Sequence, residues 1–248
     1  MIQTTLFYPI AILAILIVGI SKSGFGGGLG VLAVPLMSLV IPPPQAAAIL
    51  LPLLILMDWF TVWHYRKSWD RRNLIILLPA AIVGIFLASL FFRYLTDAHI
   101  RILVGVLAIL FVAIYFLKRQ NTRSHAADIP RGLLWGSIAG FTSFGVHAGG
   151  PPVNIYLLPQ QLNKSIFVGT TVLFFTIINL VKVVPYALLG QFSTGNLLIS
   201  LFLAPLTPLG VLLGVKLHHR VNEKLFYNLC YLFLFITGIK LLIDGIRG

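Results

Sequence analysis

The chain has 248 residues, 58% of them hydrophobic and 10% charged, with a mean hydropathy of +0.98. Those values argue against a water-soluble domain and for an all-α polytopic membrane protein. Eighteen Lys and Arg against six Asp and Glu give a formal net charge of +12, but the bases sit in short clusters between apolar runs, not on an aromatic-studded face, which argues against a nucleic-acid partner.

In chain order, the first half reads as apolar segments at 6–21, 25–41, 45–63, 74–92 and 98–117, and the second as segments at 132–143, 150–160, 165–189, 195–216 and 222–244. A transmembrane helix needs about 20 apolar residues. The last three segments of each half meet that length, whereas the first two are short and meet at glycine. "MIQTT" carries no basic n-region and no small-x-small site follows Ile20, so a cleavable signal peptide is not expected. The single Cys230 excludes an internal disulfide. Clusters such as "HYRKSWDRR" at 64–72 and "KRQNTRSHAADIPR" at 118–131 have the composition of cytoplasmic loops. Trp59, Trp63 and Trp69 beside the first cluster suit an interfacial belt, and "IPPPQ" at 41–45 reads as a loop terminator.

The halves repeat. A shift of 121 residues lays "GISKSGFGGG" (19–28) on "GFTSFGVHAG" (140–149), Asp58 on Asn179 and Tyr65 on Tyr186; a shift of 126 lays "VGIFLAS" (83–89) on "LGVLLGV" (209–215). The chain therefore divides into a first repeat at 1–117, a cytoplasmic linker at 118–131 and a second repeat at 132–248. Loop charge sets their orientation. The loop after the third segment carries Arg66, Lys67, Arg71 and Arg72, whereas its counterpart "GQFSTGN" (190–196) has no charge, and the fourth-to-fifth loops show the opposite bias. With the basic linker inside, the expectation is two inverted-topology repeats, each a short re-entrant or broken helix pair followed by three transmembrane helices, with both termini outside.

A backbone that turns at glycine within the bilayer leaves amides unpaired unless they face protein or a wet cavity. The glycine turns thus become candidate linings of a midplane anion site, with helix N-termini aimed at it and glycine permitting close approach. The candidates on the first turn are Ser21, Lys22, Ser23, Gly24, Gly26, Gly27 and Gly28. Those on the second are Thr142, Ser143, Gly145, His147, Ala148, Gly149 and Gly150, with Pro151 and Pro152 suited to a first helical turn. Plain alternatives stay open: the glycines only allow close helix packing, and Lys22 snorkels from a full-length helix. Asp58, its counterpart Asn179, and Lys182 lie inside apolar segments, as pathway or coupling residues or as a salt bridge between helices. His147 either titrates during transport or is a satisfied buried histidine.

No pair of acids is spaced to hold a metal, there is no His-x-x-x-His, Cys-x-x-Cys or G-x-x-x-x-G-K-[ST] pattern, and neither an enzyme nor a cofactor is expected. "GISKSGFGGGLGVLAVPLM" (19–37), "PPPQAAAILLPLLILMDWF" (42–60) and "GSIAGFTSFGVHAGGPPVNIYLL" (136–158) resemble the TauE/SafE sulfite exporter family, the TSUP transporters, over nearly the whole chain. The resemblance implies a secondary carrier of sulfite, organosulfonates such as sulfoacetate, or thiosulfate across the bacterial inner membrane. Moving one negative charge outward gains about 2.3 kcal/mol per 100 mV of inside-negative potential, so export can run as uniport, whereas uptake needs a coupling cation, with Asp58 or His147 as its carrier. The rival expectation is a cation-coupled carrier of a neutral or cationic solute using Asp58. Expected partners are a small anionic substrate and the lipid bilayer, with a homodimer left open.

Overall fold

The computed structural model describes residues 6–24, 28–117, 126–217 and 223–247, and among them there is no strand. Helix α1 (Phe7–Gly24) is followed by a 3-10 turn at Gly28–Leu32 and the short α2 (Ala33–Met37); α3 (Pro43–Tyr65), α4 (Arg71–Phe92) and α5 (Asp97–Leu117) complete the first half. The second half comprises α6 (Ile129–Val146), α7 (Gly150–Leu157), α8 (Lys164–Leu188), α9 (Thr194–Leu203), α10 (Leu206–Leu217) and α11 (Glu223–Arg247). Helices α3, α4, α5, α8 and α11 are each long and apolar enough to cross a membrane, and α9 with α10, bent by 43°, reach that length together and would make a sixth crossing as one broken span. Pro205, between the two, has no N–H to give to the helical ladder, which accounts for the bend.

Caps fix helix starts that hydropathy alone misplaces. Asp70 Oδ1 accepts from Asn73 N at 2.7 Å to open α4, Asn163 accepts from Ser165 N to open α8, and Ser193 accepts from Asn196 N to open α9. Helix α6 begins at Ile129, with Asp128 before it and Pro130 in its first turn. Residues 129–131, read from the sequence as the end of a linker, are therefore helical, because Pro and Arg are as acceptable as apolar residues in a first turn.

The helices pack through small residues. A Cβ on Gly140 would run into the carbonyl of Ala81, one on Gly84 into that of Ser137, and one on Gly19 would sit 2.8 Å from the backbone of Gly210. Backbones therefore touch where α4 crosses α6 and where α10 crosses α1. Helices α5 and α11 are joined the same way through Gly105 and Gly238. Faces pointing away from these seams are apolar and open, as at Trp59 (79% exposed) and Phe202 (72%), which is the arrangement a lipid solvent calls for. Arg66 stacks over exposed Trp63 at 4.3 Å, as expected of an interfacial pair.

The exits of the two short-helix pairs lie at opposite ends of the bundle. At the end where α4 begins, Asn73 and Gln160 exchange amide hydrogen bonds of 2.8 and 3.0 Å, and a Cβ on Gly132 would meet Ile76 and Tyr156. Hairpin α6–α7 therefore comes in and goes out beside the start of α4. At the end where α4 finishes and α5 begins, Arg101 Nη1 donates to Ser38 O at 2.7 Å and holds the exit of α2 there. Helices α3 and α8 pack side by side and run in opposite directions, with Asp58 meeting Asn179 and the Tyr65 carbonyl facing Gly169.

Candidate functional site

Helix α6 ends in a tight reversal. His147 takes a left-handed conformation (φ 53°), His147 N donates to Ser143 O at 3.1 Å and Ala148 N to Thr142 O at 3.2 Å. The first of these is the 5→1 bond of an αL closure, with histidine in the place usually held by glycine. A non-glycine residue there costs about 1–2 kcal/mol. His147 meets that cost with side-chain bonds: its Nε2 lies 2.9 Å from Ala47 O and its Nδ1 2.8 Å from Lys182 Nζ. A carbonyl only accepts, so Nε2 carries the proton and the bare Nδ1 accepts from Lys182. Lys182 is fully buried and also donates to Ser143 O and Ser143 Oγ, each at 3.1 Å.

The first hairpin carries a lysine too. Lys22, in the last turn of α1, lies 2.5 Å from Asp58 Oδ1 on α3 and 3.4 Å from Leu54 O. Asp58 Oδ2 accepts from Asn179 Nδ2 of α8 at 2.7 Å, whereas Oδ1 accepts no hydrogen bond of good geometry although it faces the lysine. Buried charges are normally paired and fully bonded. This pair is matched in charge and under-bonded in geometry.

Between the tips lies a cavity of about 40 Å³. Its polar wall is Lys22, Ser143, His147 and Asn179, its close-approach backbone is Gly30 and Gly150, and its apolar wall is Val18, Leu54 and Phe175. Leu54 is the middle residue of α3, so the cavity sits at mid-depth. A water needs roughly 10–15 Å³ of such space, so there is room for about three, or for one compact oxyanion.

The sequence candidates divide into those around the cavity and those that build it. Lys22, Ser143, His147, Gly150 and Asn179 line it; Asp58 and Lys182 stand directly behind Lys22 and Ser143. Ser23 Oγ lies 2.8 Å from the carbonyls of Gly19 and Val211 and ties α1 to α10. Thr142 Oγ1 bonds Ile138 O and Ala148 O, closing the second tip, Gly145 is covered by the Phe92 ring, and Gly149 faces the Ala139 carbonyl. Ser21 and Ala148 are buried away from the cavity wall. Those residues hold the turns, as short polar and small side chains do where two helices approach. Gly24 ends α1 and Gly28 opens the 3-10 turn; Gly26 and Gly27 fall outside the described residues. Pro151 and Pro152 have no N–H, so the start of α7 offers the amides of Gly149 and Gly150 alone, fewer than a free helix end would give.

Val18, Gly30, Leu54 and Phe175 are absent from the sequence candidates. Leu54 and Phe175 are 121 residues apart, the same shift that relates Asp58 to Asn179 and Lys22 to Ser143. Tyr186 OH donates to Phe144 O at 2.6 Å and Tyr65 OH to Ser23 O at 3.4 Å, again at positions related by that shift, so each third helix props the opposite wall of its own hairpin. No group of three or more His, Cys, Asp or Glu among the described residues is placed to hold a metal ion.

The family model described as Sulfite exporter TauE/SafE matches residues 11–241, which takes in the cavity wall, the whole of α3 to α10 and most of α1 and α11. No curated protein and no solved structure matches the chain.

Proposed function

The chain belongs to the TauE/SafE family of sulfite exporters, and from that premise we propose that it is a secondary transporter of small sulfur-containing anions, working by alternating access around the cavity at mid-depth. The family is one of membrane transporters for sulfur anions, not of enzymes. The substrate is sulfite, an organosulfonate such as sulfoacetate, or thiosulfate, moved outward across a bacterial inner membrane with the basic loops in the cytoplasm. The observation that carries the reading is the Lys22–Ser143–Asn179 wall: a cation, a hydroxyl and an amide face one small buried space, which is a donor set suited to oxygen atoms bearing negative charge.

The halves at 1–117 and 132–248, joined through 118–131, act as inverted copies that rock against each other. Supporting this, α4 against α6 is matched by α10 against α1, and α3 against α8 and α5 against α11 are each matched by themselves under exchange of the halves. Backbone-close glycine seams let such pairs slide as bodies without repacking large side chains.

The rival, a cation-coupled carrier with Asp58 as the ion site, is disfavoured because Lys22 already stands where a cation would bind. Flux of labelled sulfite, thiosulfate and organosulfonates into liposomes, with and without a sodium or proton gradient, tests the proposal. Saturable anion flux that persists with the cation gradients collapsed supports it; flux of no sulfur anion under any gradient overturns it.

A further inference from the structure

The walls of the cavity are sorted by depth. On α3, Leu54 stands one turn before Asp58, and on α8, Phe175 stands one turn before Asn179. These helices run in opposite directions and Asp58 touches Asn179, so Leu54 and Phe175 lie on opposite sides of that contact, each displaced along its axis by about 6 Å. Val18 joins Leu54, because α1 runs the same way as α3, with Lys22 beside Asp58 and Ser23 beside Tyr65, and Val18 is one turn before Lys22. The donors face the level between. Asn179 gives one amide hydrogen to Asp58 and keeps the other, Lys22 turns toward Asp58 and Leu54 O with a third hydrogen to spare, and the Ser143 hydroxyl stands at the position equivalent to Lys22. The cavity is thus a belt of donors between two apolar caps.

Resting on the anion-transport reading, we propose that Leu54 and Phe175 are specificity-determining residues, which admit an anion with three oxygens and one apolar or lone-pair pole and reject ions that carry a fourth polar group. A pyramidal sulfite ion turns its oxygens to the belt and its sulfur lone pair to a cap, and a simple sulfonate turns its carbon there. Sulfate and phosphate, tetrahedral with four oxygens, must point one of them at Leu54 or at Phe175, where it gives up its water and finds no donor. A space of about 40 Å³ that already holds the ion has no room to carry a water along for that oxygen. The selection acts on the polarity of one substituent, not on the charge of the ion.

Methanesulfonate and sulfamate make a matched pair for testing, being singly charged tetrahedral ions of five heavy atoms that differ in a methyl against an amino group. Equilibrium binding of each to the full-length protein in nanodiscs, in wild type, Leu54→Asn and Phe175→Gln, reads the proposal. Wild type is expected to prefer methanesulfonate by roughly tenfold or more, and the variant whose cap faces the methyl to lose that preference while still binding methanesulfonate. Equal or tighter binding of sulfamate to wild type overturns the proposal without any variant, as does a preference left unchanged in both variants when each is monodisperse. Binding of neither ion to wild type removes instead the anion reading on which this one rests.

Discussion

Asp58 and Asn179 stand 121 residues apart, at matching places in two halves of the chain, and touch: Asn179 Nδ2 donates to Asp58 Oδ2 at 2.7 Å. Two third helices meet there, one carrying a carboxylate and the other its uncharged isostere. The difference gives Lys22 a carboxylate partner on one side, whereas on the other Lys182 bonds to Ser143 O, Ser143 Oγ and His147 Nδ1.

Removing Lys22 exposes what this pairing is worth. Lys22→Met leaves Asp58 as a buried carboxylate with an amide for company and is expected to lower stability by about 3–5 kcal/mol. Adding Asp58→Leu to it recovers much of that loss but not anion binding. Unfolding of Lys22→Met, Asp58→Leu and the double variant in detergent, set against wild type as a double-mutant cycle, gives the coupling energy.

Ser143 is predicted to contact the anion directly. Ser143→Ala keeps the Lys182 bond to the Ser143 carbonyl but deletes the hydroxyl, and is expected to weaken anion binding roughly tenfold, about 1.4 kcal/mol, with the melting temperature little changed. A large fall in stability with unchanged affinity would show the hydroxyl to be structural.

The glycine seams are predicted to be intolerant in matching places. Gly140→Ala drives a Cβ into the Ala81 carbonyl and Gly19→Ala one against Gly210, each expected to cost about 1–3 kcal/mol. Gly195→Ala, with nothing within 4 Å of the added carbon, is the control and should be neutral. Melting temperatures of the three decide this.

Opposite loops should face opposite compartments. Single cysteines at Ser68 and Ser193 are expected to be labelled by a membrane-impermeant maleimide from different sides, position 68 from the cytoplasm. Cys230 is buried, so background labelling is low.

Much of this was legible in the residues, for reasons that differ from place to place. The five long spans, and the bent pair α9–α10 beside them, follow from length and hydropathy, since lipid imposes that requirement on every span. The helix pair at each glycine turn followed from the cost of unpaired backbone in lipid. The starts of α4 and α6 were read three residues late, because capping and first-turn residues and not apolar runs set them. At the site, Lys22, Asp58, Asn179 and Lys182 stood out as polar groups in apolar surroundings, but the partition between cavity wall and structural bond did not. Ser23 and Ser143 look alike in sequence; one ties two helices together and the other faces the cavity, and only the crossing of α1 with α10 makes that distinction. The apolar wall at Leu54 and Phe175 carries no local signal, although the 121-residue shift that pairs Asp58 with Asn179 pairs them as well.

The central claim is that an anion sits between the two turns, held by Lys22 and Ser143. Crystals grown with selenite, an anomalously scattering stand-in for sulfite, test it most directly. The account predicts an anomalous peak within hydrogen-bonding distance of both Lys22 Nζ and Ser143 Oγ, lost in Lys22→Gln. Selenium found solely against the basic loops, with the space beside Leu54 and Phe175 empty, would contradict it.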